Sequence, residues 1–195
     1  MVCATMVAMD RFDAGRQPAG RLPAPGRLGY VQAFLNSFWD LDDGGSDRWE
    51  TTAGLAGWLR ERGFAADTVT AAERRRTVAL RDGLRAALLG DGWHGVHDDG
   101  ELVVRHDDDG AWLEPAGEGP AAARALALAI VLEARRDGSW ERMKACPGPH
   151  CGWAFHDASR NRSGQWCSMR ICGNRTKGAA FRQRRRSAHR LSPQG

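Results

Sequence analysis

The sequence predicts a mainly α-helical fold in two parts: a helical N-terminal domain with a small β-hairpin, and a small C-terminal module that contains four cysteines and ends in a basic helix. Three observations support this prediction. Apolar residues recur at helical spacing in four segments between Leu28 and Leu132. Four of the five cysteines lie in the last third of the chain. An arginine-rich stretch follows them directly.

The domain limits follow from changes in composition. Residues 1–26 are predicted to be a disordered tail, because prolines and glycines interrupt a stretch with little apolar periodicity. The helical domain is predicted over residues 27–138 and the cysteine module over residues 139–190. Residues 191–195 form a second short tail.

Two helices are predicted at the start of the N-terminal domain. The first spans Leu28–Asp40, where the larger apolar residues recur three and four positions apart. The second begins with Thr51 or Thr52 as its cap and ends at Gly63. Its apolar stripe consists of Leu55, Trp58 and Leu59.

A capping box predicts the third helix. Thr70 is followed three residues later by Glu73, so each side chain can accept a hydrogen bond from a backbone amide at the start of a helix. Apolar residues then recur at four-residue spacing, and they are Leu80, Leu84 and Leu88. Gly90 ends the helix.

A hairpin and a fourth helix complete the domain. Glu101–Arg105 and Ala111–Leu113 are short β-favouring runs joined by an Asp-Asp-Asp-Gly turn. Pro120 then starts the most apolar helix of the chain. Its large apolar side chains occupy more than one face, which predicts burial at the centre of the domain. Gly138 ends this helix and marks the domain boundary.

The four C-terminal cysteines form two pairs with the same spacing. Four residues separate Cys146 from Cys151 and also Cys167 from Cys172, and fifteen residues lie between the pairs. Two such pairs bring four thiolates to one tetrahedral ion. This favours zinc, whose filled d-shell accepts sulfur ligands without a redox partner. Four protein sulfurs leave no position for water, so one structural zinc ion is predicted.

Two alternatives for this cluster stay open. Two disulfides would also use four cysteines, although the sequence shows no secretory signal. His150 or His156 can replace one cysteine as a zinc ligand. Cys3 belongs to neither pair.

The cysteine module resembles the CGNR zinc finger, whose name motif stands here as Cys172, Gly173, Asn174 and Arg175. The resemblance extends over about residues 140–186 and includes both cysteine pairs. In that family the finger usually closes a protein that begins with an ABATE domain, and the whole is described as a stress-induced transcription regulator. The resemblance therefore implies an ABATE-like domain over residues 27–138 and a finger that binds DNA.

Local rules predict the surroundings of the name motif. Gly173 is expected to take a positive φ, and Asn174 to cap a helix that runs to about Arg190. Phe181 is expected to anchor that helix in the core. Three aromatic residues are expected to pack round the ion rather than stack on bases, and they are Trp153, Phe155 and Trp166. Asp157 is expected to pair with an arginine or an amide.

Charge divides the chain. From Ala134 onward there are fourteen Lys or Arg and three acidic residues, a net charge of +11, whereas the preceding residues have a net charge of −7. A positive field confined to one module indicates phosphate binding. The candidate contact residues are Arg160, Arg162, Arg170, Arg175, Lys177, Arg182, Arg184, Arg185 and Arg186.

These observations predict a DNA-binding transcription regulator, with duplex DNA as partner and an N-terminal domain that senses a small-molecule effector, dimerises or recruits. An RNA-binding finger and a protein-interaction module are the alternatives. No nucleophile elbow or other catalytic constellation is present, so no enzyme activity is expected. The most apolar run, Ala125–Leu132, is far shorter than a membrane span. Cytoplasmic residence is expected because it keeps thiols reduced.

Overall fold

The computed structural model of the chain describes residues 11–39, 45–94, 97–98 and 100–191. Helices supply most of the regular structure in these residues. They are α1 (Leu28–Leu35), α2 (Thr52–Glu61), α3 (Ala71–Leu89), α4 (Gly119–Arg136) and α5 (Asn174–Leu191). Antiparallel strands pair in sequence order, and they are β1 (Phe38–Trp39), β2 (Ser46–Asp47), β3 (Leu102–Asp107), β4 (Gly110–Pro115), β5 (Met143–Ala145) and β6 (Ala154–His156).

The first helix is shorter than predicted. α1 ends at Leu35, and β1 begins three residues later and pairs with β2. Asn36 leaves the helical path, and its side-chain amide bonds to the backbone of Ala154, far along the chain. The prediction of a helix over Leu28–Asp40 is therefore wrong beyond Leu35. Asp40 itself lies outside the described residues.

The predicted N-terminal caps of α2 and α3 are confirmed. Thr51 Oγ1 accepts a hydrogen bond from the backbone N–H of Gly54 at 3.0 Å. Thr70 and Glu73 form the predicted capping box, in which the Glu73 carboxylate accepts from the Thr70 N–H at 2.7 Å. Gly90 ends α3 with φ of +97°, a conformation that costs glycine little.

The hairpin and the central helix are also confirmed. β3 and β4 pair in register across the Asp107–Gly110 turn, and both strands are longer than predicted. α4 contacts α1, α2, α3 and β4, which places it at the centre. Most of its large apolar side chains are buried, but Leu132 is 47% exposed. Within the described residues, no helix is long and apolar enough to cross a bilayer.

Aromatic side chains fill the main core between α1 and α2. Tyr30, Phe34, Trp49 and Trp58 are almost completely buried. Trp49 meets Phe34 and Trp58 edge to face, with ring centroids 4.8 and 5.1 Å apart. Such pairs add about 0.5–1.5 kcal/mol each beyond the burial of apolar area. This core packs α1 against α2, and α1 also contacts β6 of the C-terminal module.

Residues 11–26 pack against the folded chain, contrary to the prediction of a disordered tail. Gln17 and Ala24 are 6% and 5% exposed. The Ala24 N–H donates to Gln32 Oε1 at 2.7 Å, and Gln32 Nε2 donates to Gln17 Oε1 at the same distance. The tail prediction is wrong here because these buried amides satisfy one another. Residues 1–10 and 192–195 lie outside the described residues.

The C-terminal module shares the main core with the helices. α4 ends at Arg136, and Gly138, two residues later, has a φ of +79°. Met143 and Ala154 nevertheless belong to the same hydrophobic cluster as the residues of α1, α3 and α4. The predicted limits of 27–138 and 139–190 stay a prediction.

Asn36→Ala is expected to reduce the free energy of unfolding by about 2 kcal/mol, because it leaves the N–H of Ala154 buried without an acceptor. Urea denaturation of the zinc-loaded chain measures the effect. Asn161→Ala, at an exposed asparagine, is the matched control and should change little. Equal losses in the two variants would contradict the role given to Asn36.

Candidate metal centre

The four cysteines lie on two short loops. Cys146 and Cys151 lie at the tip of the β5–β6 hairpin, where the Cys146 N–H donates to the Trp153 carbonyl at 2.9 Å. Cys167 and Cys172 flank a tight turn, closed by a 2.9 Å hydrogen bond from the Cys172 N–H to the Ser168 carbonyl. The four-residue gaps are therefore the lengths of these two loops.

The four sulfurs lie at one point in space. All four cysteines are buried, and their Sγ atoms lie within 4.8 Å of one another. Cys167 Sγ is 3.6 Å from both Cys151 Sγ and Cys172 Sγ. Zinc–sulfur bonds of about 2.3 Å in a tetrahedron place the sulfurs about 3.8 Å apart. The four cysteines are thus positioned to bind one zinc ion.

The two alternatives that the sequence leaves open, a pair of disulfides and a histidine ligand, do not fit this geometry. Each of the four cysteines is free, and a separation of 3.6 Å is far beyond the roughly 2.05 Å of a disulfide bond. His150 and His156 are not part of the metal-binding group. The all-cysteine ligand set is the one that the structure brings together.

Packed thiols oppose one another's ionisation. A hydrogen bond from Cys151 lowers the pKa of Cys146 to about 2, and the same contact raises the pKa of Cys151 to about 12. Burial raises the pKa of Cys172. A divalent cation removes this conflict because it binds the thiolate form of every ligand. Zinc binding therefore releases protons, and zinc retention falls as the pH falls.

A small aromatic core surrounds the cysteines, as the sequence predicts. Phe155 is fully buried among them, and Trp153 and Trp166 pack against the same cluster. The guanidinium of Arg21, from the N-terminal segment, lies over the Phe155 ring at 4.5 Å from its centroid. Nothing in the local sequence indicates this contact, because Arg21 is more than a hundred residues away.

The name motif starts the last helix differently from the prediction. Ser168 is the cap, and its Oγ accepts from the Ile171 N–H at 3.2 Å. A π-helical turn, Met169–Gly173, then runs straight into α5, and Asn174 already has helical φ and ψ of −70° and −37°. Gly173 does not take a positive φ. A Cβ there would crowd Met169 and lie 3.2 Å from Trp166, so the glycine permits close packing.

Asp157 has a structural role, as expected. Its carboxylate is 1% exposed, accepts from Lys144 Nζ at 2.7 Å and accepts from the N–H groups of Ser159 and Gly164 at 3.0 and 2.7 Å. Burial raises the pKa of Asp157, but these hydrogen bonds outweigh it and hold the pKa well below its usual range. Asp157 thereby closes the loop that carries two of the candidate arginines.

The candidate contact residues lie on three elements. Arg160 and Arg162 are on the loop after β6, Arg170 is in the π-helical turn, and the others are on α5. Arg162 forms an ion pair with Glu141. The residues with exposed cations are Arg160, Arg162, Arg170, Lys177, Arg182 and Arg184, whereas Arg175 is half-buried. Arg185 and Arg186 lie in α5.

Phe181 is 56% exposed, so its prediction as the core anchor of α5 is wrong. The reason is geometric, since α5 makes its main contacts with the π-helical turn that precedes it. The helix continues beyond the metal centre for most of its length. The aromatic anchor of the module is Phe155, on β6.

The C-terminal module is a structural zinc finger, because its four cysteines form a closed site between the tip of a hairpin and the start of a helix. Residues 142–185 match the model of the CGNR zinc finger family. The match includes all four cysteines and most of α5. It does not extend to residues 27–138, where an ABATE-like domain stays a prediction. Comparison with curated proteins found no match for the chain.

Cys151→Ser is expected to abolish stable zinc binding, because one ligand is lost from a buried site with no spare donor among its described neighbours. Elemental analysis of the dialysed protein should give one zinc per wild-type chain and substantially less for the variant. Cys3→Ser, which changes the cysteine outside both pairs, should retain the metal. Full retention by Cys151→Ser would contradict the four-cysteine site.

Proposed function

We propose that the chain is a DNA-binding transcriptional regulator, in which the zinc finger contacts the duplex and the helical N-terminal domain senses, dimerises or recruits. The observation that supports this most strongly is the charge division, with a net charge of +11 over residues 134–195 and −7 over residues 1–133. Counterion release from DNA phosphates favours binding by such a surface.

The exposure of the basic side chains strengthens the proposal. Five of the exposed basic residues form no ion pair with a carboxylate within the described residues, so their charge is available to a partner. They are Arg160, Arg170, Lys177, Arg182 and Arg184. Arginine forks match phosphate oxygens and the guanine edge, which lysine cannot bind in the same bidentate way.

α5 has the dimensions of a groove-binding helix. Its 18 residues contain seven Lys or Arg and no acidic residue. A helix of this length extends about 27 Å, and its diameter of about 10–12 Å fits the major groove of B-DNA. The metal centre holds only the start of α5, which leaves the remaining turns for the duplex.

The zinc is proposed to act through structure alone. Four sulfurs complete its tetrahedral set, so no position remains for a substrate or an activated water. The N-terminal end of the turn and helix that carry Cys172 has a partial positive charge, which stabilises the thiolates. A non-enzymatic protein in a reducing, cytoplasmic compartment is consistent with this site.

Arg182→Gln/Arg184→Gln is expected to weaken binding to duplex DNA and to flatten its salt dependence by about 0.9 in log–log slope for each phosphate contact removed. Fluorescence anisotropy with a labelled random duplex, at several salt concentrations, measures both quantities. Arg75→Gln/Arg105→Gln removes the same charge from exposed sites in the N-terminal part and is the matched control.

The same titration separates the alternatives. A preference for structured or single-stranded RNA at matched salt would replace DNA with RNA as the ligand. Equal effects of the two double variants would show that only net charge matters. No binding of either nucleic acid would overturn the proposal and favour a protein-interaction module.

A further inference from the structure

A cleft of about 680 Å³ separates the N-terminal segment from the zinc finger. One wall is formed by residues of the stretch 15–23, and the other contains Trp153 and Arg170. Its volume lies within the range of small-molecule sites, about 300–1,000 Å³. The DNA contacts proposed on α5 and on the loop after β6 do not involve this cleft.

Three arginines and no acidic residue line the cleft, and the nearby Asp13 carboxylate accepts a 2.8 Å hydrogen bond from the N–H of the lining residue Gly15. The arginines are Arg16, Arg21 and Arg170. Arg16 and Arg170 are exposed, and neither forms an ion pair within the described part of the chain. Three arginines beside one carboxylate leave the cleft with a net positive charge, which favours an anionic ligand.

Arg21 is held in place before any ligand arrives. It donates to the carbonyl oxygens of His156, Trp166 and Cys167 at 3.2, 2.9 and 3.1 Å. These acceptors are neutral, so the charge of the guanidinium remains. Arginine has five N–H donors, and the three bonds leave two for a ligand. Because the side chain is already ordered, binding costs little further conformational entropy.

Trp153 supplies a fixed aromatic surface in the same cleft. Its indole N–H donates to Gln17 Oε1 at 3.2 Å, and Gln17 Nε2 donates to the carbonyl oxygens of Ala14 and Gly15. Gln17 itself is 6% exposed. The ring and the loop opposite it therefore hold one another in position. An ordered indole beside arginines suits a planar ring that carries a phosphate.

We propose that this cleft binds a small phosphate-bearing ligand with a planar ring, of the nucleoside monophosphate class. The phosphate is bound by Arg16 and Arg170 with the free donors of Arg21, and the ring stacks on Trp153. Since its walls come from the N-terminal segment and the finger, an occupied cleft stabilises their contact. This site shares Arg170 with the proposed DNA surface, and its other lining residues lie outside that surface.

Isothermal titration calorimetry of the zinc-loaded full chain with adenosine 5′-monophosphate tests this inference. We expect Arg16→Gln/Arg170→Gln to weaken binding about tenfold or more, because two charge-assisted hydrogen bonds are lost. Arg75→Gln/Arg105→Gln, with the same charge change outside the cleft, should bind as the wild type does. Adenosine and ribose 5-phosphate should each bind more weakly than the monophosphate, because each lacks one half of the recognised group.

Zinc content and melting temperature of each variant, measured alongside, show whether the fold is intact. Absence of binding by the wild type at millimolar monophosphate, or equal losses in the two double variants, would overturn the inference. If Arg16→Gln/Arg170→Gln weakens duplex DNA binding but not monophosphate binding, the cleft contacts a DNA backbone phosphate. The proposal of a small phosphate-bearing ligand is then wrong. Monophosphate binding without DNA binding would uphold this inference and refute the proposed function.

Discussion

The convergence of four buried thiolates on one point is the constraint on which the C-terminal module depends. The finger has a small core of its own, with Phe155 as its fully buried large side chain. Burying four thiolates close together is costly unless a cation binds them, because each raises the energy of the others. Zinc makes this arrangement stable and joins the tip of the β5–β6 hairpin to the turn that starts α5.

Polar side chains from distant segments fix the finger to the helices. Asn36 exchanges two hydrogen bonds with Ala154, and the buried guanidinium of Arg85 donates to the carbonyl oxygens of Gly152, Leu35 and Phe38. Burial lowers the pKa of Arg85 to about 10, which leaves it charged at neutral pH. The nearby thiolate of Cys151 favours that charge. The metal centre and the docking contacts therefore support each other.

Local sequence rules predicted most of the parts of this structure that local interactions decide, although the cap at Asn174 was wrong because Ser168 caps the π-helical turn instead. The capping box at Thr70, the hairpin turn and the paired cysteines depend on residues close together in the chain. The errors at Asn36, in residues 11–26 and at Phe181 have the opposite cause. In each case a contact with a distant segment, or the lack of one, decided the outcome, and periodicity contains no information about distant partners. Arg21 was missed for the same reason.

Hydrogen exchange of the full chain, with zinc bound and after chelation, tests whether the metal orders the finger against the helices. Without zinc, amides of β5, β6 and the first turns of α5 should lose protection, whereas those of α3 and α4 should keep most of theirs. Unchanged protection across the finger would mean that the module is stable without its metal, and zinc would then not be what holds it together.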